Sequence, residues 1–132
     1  MTREEKLIRP FADIEPEIRG RDFKEQRVLW HVATPKTVGS QHFWFGISVI
    51  PRGVTIPAHS HVCEEMYFLL EGQLVKEVGE KKYTMLPYDV MYFPPGVKHQ
   101  TKNLSRGDAV QAWIYAPIPR EVSEEEIFRG TD

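Results

Sequence analysis

An antiparallel all-β domain, a sandwich or closed barrel, is the fold class this sequence predicts. Three observations predict it: short β-prone runs recur from Val28 onward, Gly- and Pro-containing turns separate them, and helical periodicity is confined to the tail. The 132 residues suit one domain and leave no room for a second core of useful size.

The first 27 residues are charged and weakly patterned, and Pro10 and Pro16 break any helix before it lengthens, so residues 1–27 read as an entry arm. Residues 28–118 hold the β domain. Its runs are Val28 to Val32, Phe43 to Ile50, Met66 to Leu70, Val90 to Phe93 and Ala109 to Tyr115. Between and after them stand Pro51-Arg52-Gly53, Glu71-Gly72, Gly79-Glu80, Leu86-Pro87-Tyr88-Asp89, Pro94-Pro95-Gly96 and Ser105-Arg106-Gly107-Asp108, all with turn chemistry. Hairpins are the economical connection. Residues 119–132 form a tail with one short helix, Ser123 to Phe128, where a Ser N-cap precedes three glutamates suited to a helix N-terminus.

Charge excludes some partners. The net charge of −2 comes from 17 basic and 19 acidic residues spread along the chain, so no basic stripe exists to bind nucleic acid. No apolar run approaches the roughly 20 residues that cross a bilayer, and the N-terminus lacks a secretory pattern. A cytoplasmic protein is expected, and the lone Cys63, unable to form an internal disulfide, fits a reducing compartment.

Gly53, His59, His61, Glu65 and Gly72 stand at the spacing G-x5-H-x-H-x3-E-x6-G. At this composition the pattern arises by chance in roughly one such chain in ten thousand. Pro94, Gly96, His99 and Asn103 form a second pattern, P-x-G-x-x-H-x3-N. Side chains two apart on a strand point the same way, so His59 and His61 form a two-pronged claw. Glu65 has the same parity and rejoins that face if Val62 to Glu64 make a tight connection between neighbouring strands. His99 arrives from elsewhere in the sheet, behind the rigid Pro94-Pro95-Gly96 turn. Three imidazoles and a carboxylate suit one divalent transition metal ion, Fe, Mn, Ni, Co, Cu or Zn, and disfavour calcium and magnesium. Four protein ligands on an ion that accepts five or six leave positions open for water, substrate or dioxygen.

Those two motifs resemble the signature of the cupin superfamily, and the likeness runs from Gly53 to Asn103, as in small, single-domain, metal-binding cupins of the Cupin_2 type. The resemblance implies an RmlC-like jelly-roll β-barrel or sandwich, His59, His61, Glu65 and His99 as metal ligands, and a homodimer. The strand-prone arm, Lys6 to Ile18, is available to pair with an edge of a second subunit. One departure stands out: Tyr88 occupies the position, six before Pro94, where the second motif opens with Gly.

Parity on the run after His42 puts Trp44, Gly46, Ser48 and Ile50 on one face with His42, and Phe43, Phe45, Ile47 and Val49 on the other. In the last run Gln111, Trp113 and Tyr115 alternate with Val110, Ala112 and Ile114. Gln111, Trp113, Tyr115 and Trp44 are therefore the candidate walls of a pocket for a small organic molecule, while Trp113 and Tyr115 read equally well as filling the sandwich core or covering a dimer interface. Arg52, Lys76 and Lys98 read as a solvated face or as partners of an acidic substrate, and Cys63 as a turn residue or a soft extra ligand. The leading functional reading is a metal-dependent dioxygenase-type enzyme. Its rivals are a cupin lyase or isomerase and a non-catalytic metal- and small-molecule-binding cupin.

Overall fold

The computed structural model describes residues 7–118. The expected helix at Ser123 to Phe128, with the rest of the tail, lies outside them. Ten strands follow one another: β1 (Glu17–Arg19), β2 (Arg27–Ala33), β3 (Trp44–Ile50), β4 (Thr55–His59), β5 (Glu64–Glu71), β6 (Leu74–Val78), β7 (Lys81–Met85), β8 (Val90–Phe93), β9 (His99–Lys102) and β10 (Ala109–Ala116). They pair antiparallel in two sheets, one ordered β1-β2-β3-β10-β5-β8 and the other β4-β9-β6-β7.

All five runs read from the sequence are strands of the larger sheet. The turns, however, are mostly not hairpins. Only Gly79-Glu80 joins hydrogen-bonded neighbours; the other five turns carry the chain from one sheet to the other. These crossings keep the sheets separate, with β1 and β8 at the edges of one and β4 and β7 at the edges of the other. The fold is thus the sandwich form of the expected jelly roll, not a closed barrel. Part of the arm also joins it, since Glu17–Arg19 pairs with its own β2 through the register Glu17 to Leu29.

Strict alternation explains the packing of the larger sheet. Trp44, Gly46, Ser48 and Ile50 of β3 and Gln111, Trp113 and Tyr115 of β10 face inward and are buried. His42 precedes β3 and is exposed. At the centre, Trp113 donates from Nε1 to Ser48 Oγ at 2.7 Å, and its ring lies where a β-carbon on Gly46 would be, 2.2 Å from Cζ2. Asn103, the end of the second motif, ties the turns together: its Nδ2 donates to the Ile50 and Gly107 carbonyls at 2.8 and 2.9 Å. Its role is structural.

Gly72 shows why the first motif ends in glycine, for its φ is +83° and a β-carbon there would lie 2.6 Å from the Asp108 carbonyl oxygen. Tyr88 adopts φ +74° in the turn closed by Asp89 N–H to Leu86 C=O at 3.0 Å, the left-handed conformation that glycine takes without penalty. An L-residue there costs roughly 1 kcal/mol. Tyr88 is 73% exposed, so little packing offsets that cost. Tyr88→Gly is expected to raise stability by about 0.5–1 kcal/mol, read as a higher urea midpoint with an unchanged slope. An unchanged or lower midpoint would remove strain from the account of this turn.

Candidate metal centre

The residues singled out by the two motifs converge. One donor atom from each of His59, His61, Glu65 and His99 lies within 4.8 Å of the others, and all four side chains are buried. A shell with bonds of about 2.1 Å separates its donors by at most about 4.2 Å, so a contraction of some tenths of an ångström closes it around an ion.

Each donor arrives by a different local device. His59 ends β4, where the register moves from Ile56 opposite Thr101 to His59 opposite His99, three residues against two. This bulge falls on Pro57, which has no N–H to place in a ladder. It turns His59 inward beside its cross-strand partner His99. His61 lies beyond the end of β4, in the segment leading to β5, so it joins from a loop and not as the second prong of a strand. That segment crosses from the smaller to the larger sheet, which corrects the expected connection between neighbouring strands. Glu65 then follows as the second residue of β5, opposite Phe93 and Tyr115. A backbone bond from Gly96 N–H to the His61 carbonyl at 2.8 Å joins the two motifs directly.

Hydrogen bonds set the imidazole orientation. His59 Nδ1 lies 2.7 Å from the Pro57 carbonyl and His99 Nδ1 lies 3.0 Å from the Val97 carbonyl, each two residues back. A carbonyl only accepts, so both Nδ1 atoms carry the proton and both Nε2 atoms offer a lone pair. Phe93 stacks on the His99 ring at 4.1 Å and 10°. Glu65 Oε1 sits 3.4 Å from His61 Nε2 and 3.2 Å from His99 Nε2. Anchored imidazole tautomers around one carboxylate are what a divalent transition metal needs, and the donor set fits one. Glu64, the alternative beside Glu65, is exposed and accepts a hydrogen bond from Tyr92, whose ionisation is pushed up by that bond.

Of the candidate pocket residues, Tyr115 comes closest: its hydroxyl is 3.4 Å from His61 Nε2 and its ring centroid 4.6 Å from that of His61. Trp113 follows at 5.3 Å from Tyr115. Trp44 donates to His31 Nδ1 at 3.2 Å, and Gln111 Oε1 accepts from Lys76 Nζ at 2.9 Å. The sequence reading missed two participants. Tyr67 places its hydroxyl 2.9 Å from His99 Nε2, and His31 Nε2 meets Glu17 Oε1 at 2.8 Å. Burial tends to raise the Glu17 carboxyl, but the hydrogen bond from His31 and the nearby Arg19 hold it below its usual value. Lys76 is fully buried, not on a solvated face, whereas Arg52 and Lys98 are exposed.

Cys63 is buried in the apolar core and does not join the four donors. Burial pushes its thiol up to about 11. Below pH 9 the thiol is protonated folded or unfolded, so it adds no pH dependence. Between about 9 and about 11 the unfolded chain loses the proton first, and stability falls. Urea unfolding of wild type is expected to weaken across that window relative to Cys63→Ala. Parallel curves for the two proteins would show that the thiol ionises as freely in the fold as outside it.

Comparison with known proteins agrees with this architecture. Residues 46–115, more than half of the chain, match the Cupin_2 family, a cupin domain. The chain belongs to the cupin family. An uncharacterized protein of Methanocaldococcus jannaschii is 27% identical over 79 residues, which span 58% of this chain and 63% of that protein, less than two thirds of its length. A predicted oxalate decarboxylase from Thermotoga maritima superposes with a TM-score of 0.73 at 20% identity, covering 84% of this chain and 99% of that one. The polyketide cyclase RemF from Streptomyces resistomycificus gives 0.73 at 15% identity over 91% and 89%. At these identities the two structures establish the shared fold alone. No helix among the described residues is long and apolar enough to cross a membrane.

Proposed function

We propose that this cupin is a metal-dependent enzyme acting on a small organic molecule, a dioxygenase-type oxidoreductase, with His59, His61, Glu65 and His99 holding one divalent transition metal ion. The observation that carries the reading is the buried convergence of three imidazoles and one carboxylate, with the tautomers of His59 and His99 fixed by backbone carbonyls. A bound ion would supply Lewis acidity or a redox partner for dioxygen. The chain's own residues supply the rest. Tyr115, Trp113 and Trp44 give the interior an aromatic wall that excludes water, and Gln111 gives it a polar group that orients a ligand.

Elemental analysis of protein purified without added metal tests the site, with one equivalent of a transition metal expected. Dioxygen uptake by the Fe(II)-loaded protein in the presence of a substrate panel tests the reaction. Uptake matched by product formation supports the oxygenase, turnover without uptake points to a lyase or isomerase, and a ligand-induced thermal shift without turnover identifies a binding protein.

A cytoplasmic homodimer is part of this reading. The arm strand Glu17–Arg19 pairs within its own chain, and the outer face of the larger sheet is the surface this reading assigns to the subunit contact. Ile47, Val49 and Ile114 project from that face half-buried, and Met66, Leu70 and Val90 are 42%, 38% and 53% exposed. Such a contiguous apolar surface is characteristic of subunit contacts. Sedimentation velocity of wild type against Met66→Glu checks it; a wild-type monomer would overturn the assignment.

A further inference from the structure

The segment between β1 and β2 folds back over the smaller sheet and encloses a hollow on its outer face. Gly20 makes the return possible: its φ is +128°, and a β-carbon there would lie 2.6 Å from the Glu25 carbonyl oxygen. The Asp22 carbonyl oxygen accepts from the N–H groups of Glu25 and Gln26, both at 2.9 Å, and Asp22 Oδ1 accepts from the Lys24 N–H at 2.9 Å. Thr55 N–H then donates to the Lys24 carbonyl at 2.9 Å, which fastens the loop to the edge strand β4. Both walls of the hollow are therefore formed in advance of any ligand.

The hollow measures about 530 Å³, within the range of small-molecule sites. Arg21, Lys24 and Glu25 line it from the loop, Thr55 and Pro57 from β4, and Gln100 from β9. A second hollow of about 260 Å³ shares Gln100 with it and adds Lys98 and Glu77. The two carboxylates are already matched, Glu25 by Arg21 and Glu77 by Lys82 and Lys102. Lys24 and Lys98 are left in excess, on a chain whose formal net charge is −2. Such a concave positive surface attracts anions.

The donors of the larger hollow discriminate among anions. Arg21 Nε and Nη2 both hold the Glu25 carboxylate, Nε at 3.0 Å. That parallel fork is how a planar carboxylate is recognised, and here it is occupied. What remains is the Lys24 ammonium, the Thr55 hydroxyl and the Gln100 amide, none of which hydrogen-bonds another side chain among the described residues. They are single donors carried by three separate elements. A tetrahedral group with three terminal oxygens meets donors that converge from different directions, and a planar group with two oxygens does so less well. A phosphate fills only a small part of the hollow, so an organic body has room beside it against Pro57 and Ala58.

We infer that this hollow on the outer face of the smaller sheet binds the phosphate group of a small phosphomonoester, with Lys24, Thr55 and Gln100 as its contacts. Thr55 and Gln100 alternate with the buried Ile56, His99 and Thr101, so the site lies across the sheet from the metal centre and does not depend on it.

The test titrates the isotope-labelled full chain with inorganic phosphate, glycerol 3-phosphate and phenyl phosphate, with acetate and glycerol as controls, and follows amide chemical shifts. Low ionic strength is used because salt screens an exposed site. Shifts are expected to centre on Lys24, Thr55 and Gln100, with at least one ester binding no more weakly than inorganic phosphate and about tenfold more tightly than acetate. Lys24→Met should weaken ester binding by about tenfold and Thr55→Val by severalfold, whereas Lys81→Met, at an exposed position on β7 outside both hollows, should not. Glu65→Gln, which removes a metal ligand, should bind the ester as wild type does, and this separates the site from phosphate held by an ion. Shifts centred elsewhere, acetate equal to the esters, no ester binding, undiminished affinity in Lys24→Met or Thr55→Val, an equal loss in Lys81→Met, or a loss in Glu65→Gln would each overturn the inference. A wild type that takes up no metal yet binds the ester in this way would sink the metal reading and leave the phosphate site standing.

Discussion

Replacing His99 by alanine is expected to lower metal affinity by well over 100-fold, because even partners that only orient a ligand contribute about 10–100-fold. The side chain removed is the direct cross-strand partner of His59 and the acceptor for Tyr67, and it is stacked on Phe93. Bound metal stabilises only the folded form, by about 2.7 kcal/mol when free metal is at 100 times its dissociation constant. Wild type should therefore melt at a higher temperature when Mn(II), Fe(II), Co(II) or Zn(II) is added, and His99→Ala should not. Two controls separate loss of the site from loss of the fold: His42→Ala, at an exposed position before β3, should bind as wild type does, and Glu64→Gln should too, while Glu65→Gln should not. Full metal stoichiometry in His99→Ala would mean that the ion, if any, sits elsewhere.

The larger sheet was legible in the sequence and the smaller one was not. Val28 to Val32, Phe43 to Ile50 and Ala109 to Tyr115 are β-branched and aromatic, and each became a strand of the six-stranded sheet. The smaller sheet escaped for a physical reason: many of its inward positions are polar. His59, His99, Thr101 and Lys76 occupy places where periodicity expects apolar residues, and Pro57 and the exposed Lys81-Lys82 weaken strand character further. The four donors were recognisable because their spacing is improbable, although the route by which they meet was not. The bulge at Pro57 and the crossing of residues 60–63 between sheets are long-range consequences that parity cannot supply. Lys76 shows the same limit from the other side, since a lysine between Val75 and Glu77 looks solvated until Gln111 is brought opposite it.

Trp113→Ala is expected to destabilise the protein by about 3–5 kcal/mol, the largest loss from any single truncation in the core. Trp113 is 1% exposed, and its removal leaves a cavity over Gly46 and strips the Ser48 hydroxyl of its donor. The opposite error, Gly46→Ala, should cost about 1–3 kcal/mol, since a β-carbon there meets the indole at 2.2 Å and the Trp30 carbonyl oxygen at 2.7 Å. The two sites share one volume, so their effects should not add. In the Trp113→Ala background Gly46→Ala should become milder, yet not neutral, because the Trp30 carbonyl is backbone and stays in place. Urea unfolding of the two single variants and the double variant measures the coupling, and additive losses would contradict the packing described for this pair. Metal content separates the roles of the indole: Trp113 offers no ligand atom to the four-residue centre, so the folded fraction of Trp113→Ala should bind metal as wild type does. Its ligand selectivity should change, because the wall between Tyr115 and Gln111 has been opened.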